Sequence, residues 1–107
     1  MSKKKSDKIK LMCQLRDAKV RSHLAQYAPV WMVKDTPHPE DDALLFNVVF
    51  CHPRYGWVNR RYRFDAFNSV LYHQGQTLVS EDEALKLEEE KPYLSAEAVN
   101  TVNAYGG

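Results

Sequence analysis

The sequence predicts an α+β fold in which an N-terminal helix precedes an antiparallel meander of three to four strands, with one or two C-terminal helices packed on one sheet face. The chain has 107 residues, 44% of them apolar, which suits a single buried core. Its middle alternates apolar and polar residues with the period of a strand, and helix signals flank it. We predict a flexible basic tail over residues 1–8 and a single domain over residues 9–104.

The basic tail lacks the apolar surface that would order it. Residues 1–8 include five charged side chains. Burial therefore offers little to offset the entropy lost on ordering them.

Two periodicities compete over residues 9–27. Alternating apolar side chains from Ile9 to Leu15 are typical of a strand. A second set shares one helical face: Ile9, Met12, Cys13, Val20, Leu24 and Tyr27. The length, the helix-forming residues and the absence of glycine or proline before Pro29 favour a helix.

Residues 30–42 divide into an apolar run and a proline-containing stretch. Pro37 and Pro39 lie among acidic residues, and a proline cannot donate a hydrogen bond to a strand ladder. We predict that residues 35–42 form a stiff exposed loop and cannot be a central strand.

A β-hairpin is predicted next, with strands over residues 43–52 and 57–65 joined by the turn Pro53 to Gly56. Proline presets φ for the first turn position, and glycine accepts the left-handed conformation that closes a hairpin. Two registers are possible, and pairing Phe50 with Asn59 would place arginines against the core. We predict the other register, which pairs Phe50 with Val58 through a bulge at Gly56.

This register assigns the two faces of the hairpin. The core face is predicted to carry Phe46, Val48, Phe50, Val58, Tyr62 and Phe64. The opposite face is predicted to carry Asn47, Asn59, Arg61 and Arg63.

From residue 65 onward, the sequence predicts turns, a strand and helices. Turns are predicted at residues 65–68 and 74–76, with a strand over residues 69–73 between them. Ser80 lies three residues before Glu83, a capping-box spacing that predicts a helix from Glu81 to about Glu90. A further short helix is predicted over residues 95–104.

Charge is unevenly distributed along the chain. Residues 1–63 contain 13 lysines and arginines against 6 acidic residues, or +7, and residues 64–107 contain 2 against 8, or −6. This split indicates either an anionic partner or a basic face that pairs with an acidic helix inside the fold.

Several functional classes have little support. No run is long and apolar enough for a membrane span, and the basic start leads into no apolar signal region. Cys13 and Cys51 have no ligand spacing and are predicted to be free thiols, which suits the cytoplasm. We also predict no metal site, because ligand spacing is absent from the wider set: Cys13, His23, His38, Cys51, His52 and His73.

Catalysis is not predicted either. The four glycines form neither a nucleophile elbow nor a phosphate-binding loop. The acidic residues cluster in the proline-containing loop and on a solvated helix, so paired carboxylates are not indicated. We predict no enzyme activity and no cofactor.

Residues 54–63 combine four arginines with three aromatic side chains. Because side chains alternate between the two faces of a strand, part of this cluster is predicted to point away from the core. The predicted binding residues are Arg54, Tyr55, Trp57, Asn59, Arg61 and Arg63.

The cluster supports three interpretations. Arginine and aromatic residues are enriched in protein–protein hot spots, which favours a small non-catalytic binding module or accessory subunit. The alternative is a nucleic-acid- or ribosome-associated protein, in which cations contact phosphate and rings stack on bases. A third interpretation pairs the arginines with the acidic helix in the same chain.

Overall fold

The computed structural model describes residues 2–95, with the backbone alone for residues 2–5. Its helices and strands are α1 (Ser2–Leu24), β1 (Trp31–His38), β2 (Ala43–His52), β3 (Gly56–Asp65), β4 (Val70–Leu78) and α2 (Glu81–Leu85). Short 3₁₀ turns cover Ala25–Tyr27, Pro39–Asp41 and Lys86–Glu89. The short helix predicted over residues 95–104 lies outside the described residues, apart from Ser95.

The N-terminal helix is confirmed, and the helical periodicity prevails over the strand periodicity. Met12, Val20 and Leu24 are buried, whereas Leu11 and Leu15 are 56% and 40% exposed. The helix extends back to Ser2, so residues 2–8 are helical in the structure. The flexibility of this segment stays a prediction.

The four strands form one antiparallel sheet in the order β1-β2-β3-β4, which confirms the α+β meander. The core lies between α1 and one face of this sheet. It contains Met12, Val20, Leu24, Val30, Leu44, Phe46, Val48, Phe50, Val58, Tyr62, Phe64 and Leu94. None of the helices described in residues 2–95 has the length and apolar character needed to cross a bilayer.

The predicted hairpin register is confirmed. Phe50 pairs with Val58, and the pairing runs unshifted from His52–Gly56 at the turn to Ala43–Asp65 at the far end. The predicted bulge at Gly56 is therefore wrong. Residues 53–55, which connect the two strands, set this register instead. Gly56 ends the connection with φ +80°.

The loop predicted over residues 35–42 is also wrong for its first half. β1 continues to His38 and pairs with β2, with Pro37 opposite Leu44 and a bulge between Met32 and Lys34. β1 lies at the edge of the sheet and bonds to a neighbouring strand on one side only. An edge position tolerates a proline that a central strand would exclude.

The turn predicted at residues 74–76 is replaced by a bulge. β4 runs continuously from Val70 to Leu78, with His73 opposite Tyr62 and Gly75 opposite Arg61. Gln74 is the extra residue between the two pairs. Gly75 adopts φ +130°, which lets the strand continue past the insertion.

The Ser80 cap is confirmed, because the Glu83 backbone N–H donates to Ser80 Oγ at 3.1 Å. The helix is shorter than predicted and ends at Leu85, after which a 3₁₀ turn follows. The segment after β4 then crosses the sheet. It starts beside β3, where Val79 N–H donates to Trp57 O, and ends at β1, where Trp31 Nε1 donates to Glu90 O.

This crossing segment covers one end of the sheet face opposite α1. Trp31 and Val49 pair across β1 and β2 on that face, and both are buried without belonging to the core under α1. Ala84 of α2 is buried as well. The rest of that face is left open by the described residues.

Candidate binding surface

The open part of the sheet face opposite α1, called the outer face below, is built from rows of paired residues. One row joins Lys34 of β1, Asn47 of β2, Arg61 of β3 and Gly75 of β4. The strands are spaced by ~4.8 Å, so the Lys34 and Arg61 backbones lie roughly 10 Å apart across Asn47. Gly75 adds no side chain that could cover Arg61 from the β4 side.

The next row towards the far end joins Thr36, Leu45, Arg63 and Tyr72. The two rows border a groove of about 600 Å³, called the outer groove below. It is lined by Val33, Lys34, Thr36, Leu45, Asn47, Asn59 and Arg61. Aliphatic, amide and cationic side chains therefore meet in one open depression.

A hydrogen bond between two asparagines orients their side chains in the middle of the outer groove. Asn47 Nδ2 donates to Asn59 Oδ1 at 2.9 Å. This bond leaves Asn47 Oδ1 as an acceptor and the Asn59 amide N–H groups as donors. The pair can offer both hydrogen-bonding functions to a segment lying across the strands.

The cations of the outer face form no ion pair with a carboxylate among the described side chains, although the charges of Arg63 and Asp65 interact. Lys34, Arg61 and Arg63 take part in none of the ion pairs found in residues 6–95. The acidic side chains of α2 are exposed and do not pair with these cations. Pairing of the arginines with the acidic helix is thus not observed in this part of the chain.

Asp65 lies in the last row of the outer face, where it accepts hydrogen bonds from the β3–β4 turn. Its carboxylate accepts hydrogen bonds from the Phe67 N–H, the Asn68 N–H and Asn68 Nδ2 at 2.9–3.1 Å. The Asn68 hydrogen bonds lower the pKa of Asp65 below its ordinary value. The carboxylate is therefore ionised and already engaged at neutral pH.

No family model, curated protein or solved structure matches this chain.

Trp57 occupies a different place from the arginines on the same face. It is half-buried, with its ring centroid 6.2 Å from that of Trp31, which is 6% exposed. Trp57 helps to line a separate depression of about 330 Å³, together with Tyr27 and Pro53 among others. It therefore packs at the covered end of the outer face and does not line the outer groove.

Arg54 and Tyr55 lie in the hairpin connection, away from the outer groove. The Tyr55 ring lies 4.8 Å from that of His52, and Arg54 lies over Tyr55 at 5.6 Å. His52 in turn stacks 5.4 Å from Tyr27, on the side of the sheet that α1 covers. Of the predicted binding residues, the structure thus groups Asn59, Arg61 and Arg63.

The site prediction omitted Lys34 and the aliphatic wall formed by Val33 and Leu45. Lys34 follows the short apolar run and precedes the stretch taken as a loop, so its pairing with Asn47 was not foreseen. The apolar run Val30 to Val33 was the available signal, because it could have been extended as an edge strand.

One group of possible metal ligands occurs among the described residues. His38, Glu40 and Asp41 have ligand atoms within 4.8 Å of one another, and His38 Nδ1 lies 3.6 Å from Glu40 Oε1. Glu40 and Asp41 are exposed, and Arg63 borders the small depression that His38 and Asp41 line. A nearby guanidinium opposes cation binding, and the absence of a metal site stays a prediction.

Proposed function

We propose that the protein is a small non-catalytic binding module or accessory subunit whose outer face receives an acidic segment of a protein partner. One observation carries the proposal. Lys34 and Arg61 line a groove with an aliphatic wall, Arg63 lies in the neighbouring row, and none of the three forms an ion pair among the described side chains. Like charges held close together favour an anionic partner, and opposite charge steers its encounter.

The lining of the outer groove suits a polypeptide segment. Val33 and Leu45 offer apolar contact, and the Asn47–Asn59 pair offers both a donor and an acceptor. Protein interfaces combine apolar contact with about one hydrogen bond per 100–200 Å². An acidic side chain flanked by apolar residues would match the groove and its cations.

Nucleic acid is the second candidate, because the same cations would bind phosphate. Single-stranded recognition also needs exposed rings on which bases stack. Trp57 is half-buried at the covered end, so Tyr72, 44% exposed, is the ring available in the open rows. One ring next to three cations supports a protein partner better than a strand of stacked bases.

We propose a cytoplasmic location on the basis of the two cysteines. Both are free thiols, and Cys51 is exposed. Exposed thiols persist in reducing compartments, whereas oxidising compartments favour disulfides. The location is independent of which partner the outer face binds.

The test is partner recovery on immobilised protein, repeated with and without nuclease. We expect the double variant Arg61→Ala/Arg63→Ala to lose the partner and nuclease treatment to leave recovery by the parent unchanged. The matched control is Lys10→Ala/Arg21→Ala, which removes two exposed cations from α1. All variants are first checked for an unchanged melting temperature.

Three results would be decisive against this function. Equal recovery by the double variant and the parent would remove the outer face from consideration. Loss of recovery after nuclease, with a steep dependence on salt, would assign the face to nucleic acid. Equal loss in the control would show that net charge alone matters.

A further inference from the structure

A second groove lies on the opposite side of the sheet, between α1 and the start of β4. It has a volume of about 350 Å³. It is lined by Lys19, Ser22, His23, Ser69, Val70 and Leu71. Four of these side chains carry a hydrogen-bond donor, and the lining contains no acidic residue.

The donors of this groove, called the α1–β4 groove below, are Lys19, His23 and Ser69. Ser22 is less suited to donate, because its hydroxyl already donates to Lys19 O at 3.0 Å. The Ser69 hydroxyl has no hydrogen-bond partner among the described residues, and Ser69 adopts φ +55° in the β3–β4 turn. Its hydroxyl is therefore available at the end of the groove.

Further basic groups adjoin the α1–β4 groove around Tyr62. His23 and His73 lie 5.9 and 5.7 Å from the Tyr62 ring, measured between centroids. Arg60 lies on the same side of the sheet and donates to the Tyr62 hydroxyl at 3.1 Å. Leu71 and His73 share one face of β4, so His73 lies beside the groove without being one of its lining residues.

These basic groups lack carboxylate partners. None of the ion pairs in residues 6–95 involves Lys19, His23, Arg60 or His73. Burial, Arg60 and His23 together lower the pKa of His73 below its ordinary value. Proton uptake at His73 is therefore opposed until an anion offsets the neighbouring charges.

We propose that the α1–β4 groove binds the phosphoryl group of a small phosphorylated ligand. The oxygens would accept hydrogen bonds from the Lys19 ammonium, an imidazole N–H of His23 and the Ser69 hydroxyl. Val70 and Leu71 provide apolar contact for the carbon part of the ligand. This site is distinct from the outer groove, so it stands independently of the proposed partner.

The experiment is an NMR titration of the full chain with inorganic phosphate and then with phosphoserine, at constant ionic strength in sodium chloride. The imidazole signals of His23 and His73 are followed at about pH 6 and about pH 8, on either side of the ordinary histidine pKa. We expect saturable shifts at both histidines and a higher pKa for His73 with ligand bound. The rise in pKa follows because a bound anion favours the charged imidazole.

Variants distinguish a specific phosphate site from nonspecific attraction of anions. Lys19→Gln/His23→Gln should weaken phosphate binding by about tenfold or more, since two charge-assisted hydrogen bonds are lost. Lys10→Gln, an exposed lysine on α1 outside the groove, should bind like the parent. Arg61→Ala should also bind like the parent, because it lies on the outer face.

Three outcomes would overturn the proposal. The first is a titration without saturation, or with shifts that equal those caused by added chloride. The second is an equal affinity in the Lys19→Gln/His23→Gln variant, provided that its melting temperature is unchanged. The third is a response to a single-stranded oligonucleotide with no response to phosphate or phosphoserine, which would assign the groove to nucleic acid.

Discussion

Arg16 is 3% exposed, and the groups around it stabilise its buried guanidinium charge. Its guanidinium donates to Asp17 at 2.8 Å and to Asp35 at 3.0 Å, and it lies over the Phe46 ring at 5.1 Å. Tyr93 donates its hydroxyl hydrogen to Asp17 as well. Burial alone would lower the pKa of Arg16, but the hydrogen bonds with Asp35 and Asp17 raise it above its ordinary value. Arg16 thus stays charged and ties α1 to β1 through Asp35.

Removing Asp35 should be costly, because it leaves a buried guanidinium with one carboxylate. We expect Asp35→Ala to lower the free energy of unfolding by roughly 2 to 3 kcal/mol. Adding Arg16→Met should recover part of that loss, since the unpaired charge is then removed. Chemical denaturation measures both effects, and Asp7→Ala, an exposed carboxylate on α1, is the control. A loss no larger than that of the control would contradict the structural role of the pair.

Asp65 makes the β3–β4 turn sensitive to acid. Its pKa in the folded chain is lowered, so its contribution to stability is present above the unfolded pKa. That contribution is lost as pH falls through the folded value. We expect the melting temperatures of the parent and Asp65→Ala to differ at neutral pH and to converge in acid. A difference that stays constant from neutral to acidic pH would exclude the titration of Asp65 as its source.

The sequence predicted best those strands whose position in the sheet allows only one register. β2 and β3 are central strands, and the cost of placing arginines against the core selects one register. The edge strands β1 and β4 tolerate features that read as breaks in a chain. Pro37 in β1 and Gly75 in β4 therefore looked like loop and turn residues, although both lie inside strands.

α2 depends on its cap, because five residues form few internal hydrogen bonds. Ser80→Ala should lower the free energy of unfolding by about 1 kcal/mol, through loss of the bond to the Glu83 N–H. Ser80→Asp should retain the parent stability, since aspartate also caps helices. Thermal melts compare the variants, and equal melts for alanine and parent would show that the cap is redundant.

At the scale of the whole molecule, the two faces of the sheet differ in what covers them. The face under α1 holds the core, while the outer face keeps Lys34, Arg61 and Arg63 accessible beside an aliphatic wall. Strand alternation alone placed Asn59, Arg61 and Arg63 on the outer face. It could not place Arg54 or Tyr55, because side chains in a turn do not follow the period of a strand.

The covering of Trp57 was beyond the reach of sequence for a different reason. It depends on where the chain travels after β4, namely across the outer face towards Glu90 and Trp31. Local pattern does not encode that path. The predicted binding residue Trp57 is therefore a half-buried packing residue in the structure.

The most direct test of the outer face is site-specific photo-crosslinking in living cells. A photoreactive amino acid replaces Thr36, which lines the outer groove, or Gln14, which is exposed on α1 on the opposite side. We expect a discrete protein adduct from position 36 that disappears when Arg61→Ala/Arg63→Ala is added, and no such adduct from position 14. The same adduct from position 14, or an adduct from position 36 that persists without the two arginines, would contradict the assignment of the outer face as the binding surface.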